Sequence, residues 1–240
     1  MSDIIDINTL FGPLPVSSTD LPVDELIALM QKHSISACCT MSTVGMLLDH
    51  TSGNAATLAA CREMPSLRPV ATVNPLCYFG GEGPAEQFVE AKFSLVRFFP
   101  SVQGWPLRFA PFRTLLRTLA ARNLPVMINI TEPGMATELV DMMDEIECRI
   151  VLAGVDDRQV SEAIAVLRAH KGFYVETSGL TATGALKLLV AGVGVERVLF
   201  GSAAPGRPMG SALAVVRHSG ISEEHQAAIL GANARVLLGI

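Results

Sequence analysis

Eight short apolar runs, each followed by a stretch with helical spacing, occupy this 240-residue chain from end to end. They cover residues 4–7, 35–40, 69–73, 94–98, 126–129, 149–153, 173–176 and 197–200. The runs are continuous rather than alternating, as expected of parallel strands covered on both faces. Between them, Leu26, Leu29 and Met30 follow Asp24 and Glu25, acids suited to a helix N-terminus. Phe112, Leu115, Leu116 and Leu119 form one helix face with Arg113 and Arg117 opposite, and Leu139, Val140, Met143 and Ile146 repeat the pattern. Val160, Ile164 and Leu167 do the same, and Ser222-Glu223-Glu224 opens a last helix that runs through Ile229-Leu230 to Val236-Leu237-Leu238.

Eight βα units with no linker or break in composition predict an α/β fold, a single (β/α)8 TIM-type barrel forming one domain over 1–240. An open doubly wound sheet usually carries a Gly-rich turn after its first strand, where this chain has Asn8-Thr9-Leu10-Phe11-Gly12. No sequence period of roughly 20–50 residues appears, which argues against a solenoid.

Charge excludes several functions. Lys+Arg 18 against Asp+Glu 23 gives −5, so no basic surface for nucleic acid is expected. Half the residues are hydrophobic, yet the longest apolar stretch, 188–195, is far short of the ~18 residues of a spanning helix. The opening Met-Ser-Asp-Ile-Ile-Asp has neither part of a secretory signal, so a cytoplasmic protein with no membrane partner is expected. Charged residues make up 17%, against roughly 25% in an average soluble domain. That predicts a large core and some surface hidden in a homo-oligomer. Five cysteines without a C-x-x-C pair read as apolar core residues, with Cys38 and Cys39 on opposite faces of one strand.

A β/α-barrel places its site at the C-terminal ends of the strands. Those ends carry Asn8 and Leu10, then His50 in the loop after strand two, Asn74, Arg97, Asn129, Gly154 with Asp156-Asp157, Glu176-Thr177-Ser178, and Ser202-Ala203. Arg97 could grip a carboxylate with two parallel hydrogen bonds, or form an ion pair with Glu176 or Glu132 that seals a dead cavity. Asn8, Asn74, Asn129 and Glu176 are ligand-binding candidates beside it; the bland alternative for the asparagines is pairing with strand-end backbone. His50, Asp156 and Glu176 join Arg97 as candidate catalytic groups, although Asp156 also reads as a helix cap. His33, His170, His218 and His225 lie in or near the ends of helices and are expected at the surface. Trp105 fits either a lid over the mouth or loop packing.

Several stretches resemble the amidohydrolase-related (amidohydrolase-2) group of metal-dependent hydrolases. They are Ile4-Ile5-Asp6-Ile7-Asn8-Thr9-Leu10-Phe11-Gly12 at the start, Glu196-Arg197-Val198-Leu199-Phe200-Gly201-Ser202-Ala203-Ala204-Pro205, and Gly231-Ala232-Asn233-Ala234-Arg235-Val236-Leu237. Asn74-Pro75 and Leu124-Pro125-Val126-Met127-Ile128 match two more. The resemblance implies the barrel fold and a metal-dependent hydrolase, but it places the family's histidines on Asn8, Leu10, Asn129 and Gly154 and its aspartate on Ala203. Leucine, glycine and alanine offer no donor, and an amide oxygen is a weak one.

The expectation is therefore a pseudoenzyme with no metal and no cofactor, a binding or regulatory/partner protein for a small carboxylated ligand. The alternative is a metal-independent hydrolase or lactonase acting on such a compound.

Overall fold

In the computed structural model, which describes residues 3–15, 20–143 and 146–240 (residue 183 by its backbone only), all eight expected strands are present. They are β1 (Ile4–Phe11), β2 (Ile35–Ser42), β3 (Leu67–Thr72), β4 (Leu95–Phe98), β5 (Val126–Asn129), β6 (Ile150–Ala153), β7 (Phe173–Glu176) and β8 (Val198–Leu199). Every neighbouring pair is parallel and in sequence order. The seam between the last and first strands is joined by Ile7 N–H to the Phe200 carbonyl at 3.0 Å and Leu10 N–H to the Ala204 carbonyl at 2.8 Å. The fold is a (β/α)8 barrel.

Alternate residues of each strand enter different apolar clusters, the consequence of a two-residue side-chain period. Ile5, Ile7, Cys39, Met41, Leu95, Met127 and Val151 fill the barrel, while Ile4, Cys38, Val96, Ile128 and Leu152 pack outward beneath the helices. Both faces are dry, which is why the runs read as unbroken apolar sequence. Cys38 and Cys39 are free thiols on opposite faces, and burial pushes the Cys39 thiol up to about 12.

The helices are α1 (Val23–Lys32), α2 (Thr43–Leu47), α3 (His50–Arg62), α4 (Gly83–Glu90), α5 (Pro100–Gln103) and α6 (Ala110–Ala121). The second half adds α7 (Met135–Met142), α8 (Val160–Ala169), α9 (Thr183–Val193), α10 (Met209–Arg217), α11 (Glu223–Ala227) and α12 (Asn233–Leu238). The expected third helical pattern stops early: Met143 and Ile146 are buried but lie beyond α7. Ser222 caps α11, accepting from His225 N–H at 3.2 Å, and a π-turn over Ala228–Ala232 links α11 to α12.

That turn explains a glycine in the closing stretch. A Cβ on Gly231 would sit 2.0 Å from the Asp3 carbonyl oxygen, so only glycine lets the turn lie against the start of β1. Asn233 then donates its amide to the Val195 and Val198 carbonyls at 2.7 and 2.8 Å, fixing α12 under β8. From there Ala234 and Leu237 reach the inner cluster and close the N-terminal floor of the barrel.

Trp105 is part of the outer core, not a lid. It is buried edge-on to Phe98 and packs against Phe112 at 4.7 Å, with its indole N–H donating to Gln103 Oε1. Among the described residues no helix is long and apolar enough to cross a membrane.

Candidate functional site

One layer of the barrel interior, at the C-terminal end, is polar. Arg97 and Asn129 follow Leu95 and Met127 by two residues and so point the same way, into the barrel. Glu176 comes from the end of β7 by the same rule. Asn8 joins them because β1 slips register between Asp6 and Thr9, which brings its amide to Glu176.

The layer holds two hydrogen-bonded groups. Glu176, wholly buried, accepts from Asn8 Nδ2 at 3.1 Å, Gly154 N–H at 2.7 Å, Ser178 N–H at 2.6 Å and the Ser178 hydroxyl at 2.6 Å. No side chain fits at Gly201, where a Cβ would meet Glu176 Oε2 at 2.1 Å. The second group is Arg97 with Asn129: Arg97 Nε donates to Asn129 Oδ1 at 3.0 Å, and the guanidinium lies over the Phe99 ring at 4.7 Å.

Arg97 is only 4% exposed, yet among the described residues its two terminal nitrogens have no hydrogen-bond acceptor and no ion pair. Burial pulls its pKa down to about 10, opposed by the charges of Glu176 and Asp6, so it stays cationic at neutral pH. The alternative of a sealing ion pair with Glu176 or Glu132 is not what forms: Glu176 is held by neutral donors and Glu132 is exposed.

Behind the layer, Asp6 is fully buried at the seam. Its Oδ1 accepts from the N–H groups of Asn8 and Ser202, both at 3.0 Å, while Oδ2 has no partner. Burial raises its pKa to about 7 against the lowering effect of the Ser202 hydroxyl and the two N–H groups, and Glu176 adds a further rise. Sequence reasoning passed over Asp6, although an acid inside Ile4-Ile5-Asp6-Ile7 was the available signal. Ser178 and Phe99 were missed as partners of Glu176 and Arg97.

The other candidates stand apart from this layer. His50 is not in a loop but is the first residue of α3, whose cap Asp49 accepts from Ser52 N–H at 2.7 Å. His50 and Asn74 line a rim cleft of about 290 Å³ with Met46, Cys77, Val102 and Gln103. Asn74 also takes its bland role, accepting from Leu76 N–H at 3.0 Å. Asp156 does not cap α8: it accepts from Arg158 N–H and pairs with the Arg158 side chain at 2.8 Å, which holds its carboxyl below the usual range. A larger cavity, about 860 Å³, lies at the opposite end of the strands and is lined by Asn123, Arg149, His170 and Tyr174. It is remote from the polar layer.

The side chains at the five positions where the sequence resemblance would put metal ligands fit a divalent cation badly. Asn129 Oδ1 is occupied by Arg97 Nε, and Asn8 has turned its amide nitrogen to Glu176, leaving its own Oδ1 buried and bare. Leu10, Gly154 and Ala203 have no donor, and a buried guanidinium beside Asn129 repels a second cation. Among the described residues no group of three or more His, Cys, Asp or Glu side chains is arranged to hold a metal. Ala203 keeps a left-handed backbone (φ 56°), a conformation aspartate tolerates better than alanine.

A family model described as Amidohydrolase matches residues 82–240, which takes in Arg97, Asn129, Glu176 and β8 but not Asn8. No curated protein matches the sequence. Among solved structures, 5-carboxyvanillate decarboxylase from Sphingomonas paucimobilis aligns over 100% of both chains with a TM-score of 0.78 and 15% identity. A Pseudomonas putida protein assigned as a 2-pyrone-4,6-dicarboxylic acid hydrolase gives 0.80 and 20% identity over 100% of this chain and 98% of that one. Dihydroxybenzoic acid decarboxylase from Polaromonas sp. JS666, with bound manganese and 2-nitroresorcinol, gives 0.81 and 15% identity over 100% and 97%. At these identities the likeness establishes the shared barrel.

Proposed function

The chain belongs to the amidohydrolase family, and from that premise we propose that it is a member without the family's metal site, serving as a non-catalytic binding or regulatory protein for a small carboxylated compound. Arg97 carries the reading. A guanidinium taken out of water costs several kcal/mol unless its donors are satisfied, and this one has its two terminal nitrogens without a protein acceptor. A carboxylate is the ligand that matches two parallel N–H donors. Asn129 holds the guanidinium in place, Phe99 backs it, and Asn8 and Glu176 form the opposite wall of the same layer.

A second reading, a metal-independent hydrolase or lactonase of a carboxylated compound, is supported by the solved neighbours named as enzymes acting on such compounds. Release of product from lactones or amides by metal-free protein would favour it over the first. We also propose a single domain over 1–240 in a cytoplasmic homo-oligomer; the low charged fraction, 17%, against roughly 25% in an average soluble domain, supports the oligomer.

The test is elemental analysis of the purified protein with a benzoate titration before and after treatment with a chelator. No stoichiometric metal and unchanged benzoate affinity are expected. Stoichiometric zinc or manganese, with affinity lost on chelation, would overturn the proposal.

A further inference from the structure

We propose that the cavity at the N-terminal end of the barrel is a second binding site, for an amphipathic anion: an acid group carried on an apolar body larger than one ring. The cavity lies where the connections from α6, α7 and α8 enter β5, β6 and β7. Its volume of about 860 Å³ falls within the roughly 300–1,000 Å³ of small-molecule sites. The proposal is independent of the carboxylate reading of the mouth.

The lining has two chemistries. Leu124, Ile146 and Phe173 border the cavity and are buried members of the outer core. Tyr174 adds an aromatic ring from the other face of β7, where it leans on the inner cluster while Phe173 packs outward. The apolar body of a ligand therefore meets side chains that the fold already holds in place.

The charges lie beside this apolar wall. Arg149, Lys171 and Glu147 border the cavity, and His170 stands edge-on to Phe173 at 5.6 Å. Arg149 spends donors on the Leu237 carbonyl and on the Asn123 carbonyl and side chain. Those bonds fix the guanidinium and leave its charge unneutralised. Among the described residues neither Arg149 nor Lys171 forms an ion pair. Two such cations outweigh the one acid of the lining, Glu147, on a chain whose net charge is −5. The local field therefore favours an anion. Arg149 supplies it from a fixed position, and the exposed Lys171 can swing its ammonium onto the acid group.

Size separates the two ends. The single ring of benzoate would leave most of this volume to water, so benzoate gains more at the mouth, where Arg97 offers two donors.

The test is a fluorescence titration of the folded protein with 8-anilinonaphthalene-1-sulfonate, beside its uncharged analogue N-phenyl-1-naphthylamine. One sulfonate per chain is expected, with a Kd of about 10–100 µM. Lys171→Glu should weaken the sulfonate about three- to tenfold and leave the uncharged probe unchanged. Because Lys171 is exposed, that variant leaves the core untouched. Arg97→Ala should leave the sulfonate affinity as it is, since the mouth is the other end of the barrel. Absence of saturable binding, or many sulfonates per chain, overturns the proposal. Sulfonate affinity unmoved by Lys171→Glu, or lost in Arg97→Ala, overturns the location. Equal weakening of both probes by Lys171→Glu overturns the preference for an anion.

Discussion

The two ends of the barrel use arginine in opposite ways. At the floor, Arg149 donates to the Leu237 carbonyl and to the Asn123 carbonyl and side chain, and Arg197 donates to the carbonyls of Leu167, His170 and Val193. These oxygens lie at or near the C-terminal ends of α6, α8, α9 and α12, where helix carbonyls lack partners and the dipole favours a cation. At the mouth, Arg97 is more deeply buried and has one acceptor. The floor arginines complete the fold; the mouth arginine is a largely buried cation with donors to spare. The difference shows in burial and in hydrogen bonding, where the sequence alone would class all three together.

The sharpest way to break this contrast is Arg97→Ala. Benzoate affinity should fall at least about 100-fold, the scale of a charge-assisted two-bond contact. Stability in urea should change by less than about 1 kcal/mol, because the guanidinium's desolvation is poorly compensated in the free protein. A loss of several kcal/mol would make Arg97 structural. Arg149→Ala should give the mirror image, a loss of about 2–3 kcal/mol from its hydrogen bonds, with benzoate affinity intact in the same titration.

Asp6→Asn tests the mouth through pH. The folded-state value of about 7 lies above the ordinary 3.8, so the folded protein binds the proton more tightly and wild-type stability falls as pH rises between those values. The variant lacks that slope. In urea melts it should gain on the wild type to about 1–2 kcal/mol by pH 8, after allowing for its unpaired amide. The smallest effect is expected of Ala203→Gly, which relieves the left-handed alanine and should raise stability by about 0.5–1 kcal/mol in the same melts.

The architecture was legible because each strand is dry on both faces. Val126–Asn129 and Phe173–Glu176 fall where the apolar runs place them, residue for residue. The placement of Arg97, Asn129 and Glu176 in one polar layer was legible too, since they sit at strand ends and a regular strand fixes their direction. What escaped depends on departures from regularity. Asp6 lies next to a register slip that no two-residue period foretells, and its role rests on N–H groups from Asn8 and, across the seam, Ser202. His50 was misplaced because a short helix, α2, intervenes and hands it to the start of α3. Asp156 misled for a local reason: the neighbouring Arg158 captures its carboxylate before it can cap α8.

The stopper formed by Ala234 and Leu237 has a consequence for anyone trimming or tagging the protein. Leu237 plugs the barrel with its side chain and anchors Arg149 with its carbonyl, so removing the last helical turn would unseat a cork and strand a guanidinium at one stroke. Ile240, two residues beyond α12, is exposed, and its N–H donates back to the Arg235 carbonyl at 3.1 Å. Residues appended there are expected to leave the Leu237 contacts in place, whereas deleting a handful removes them.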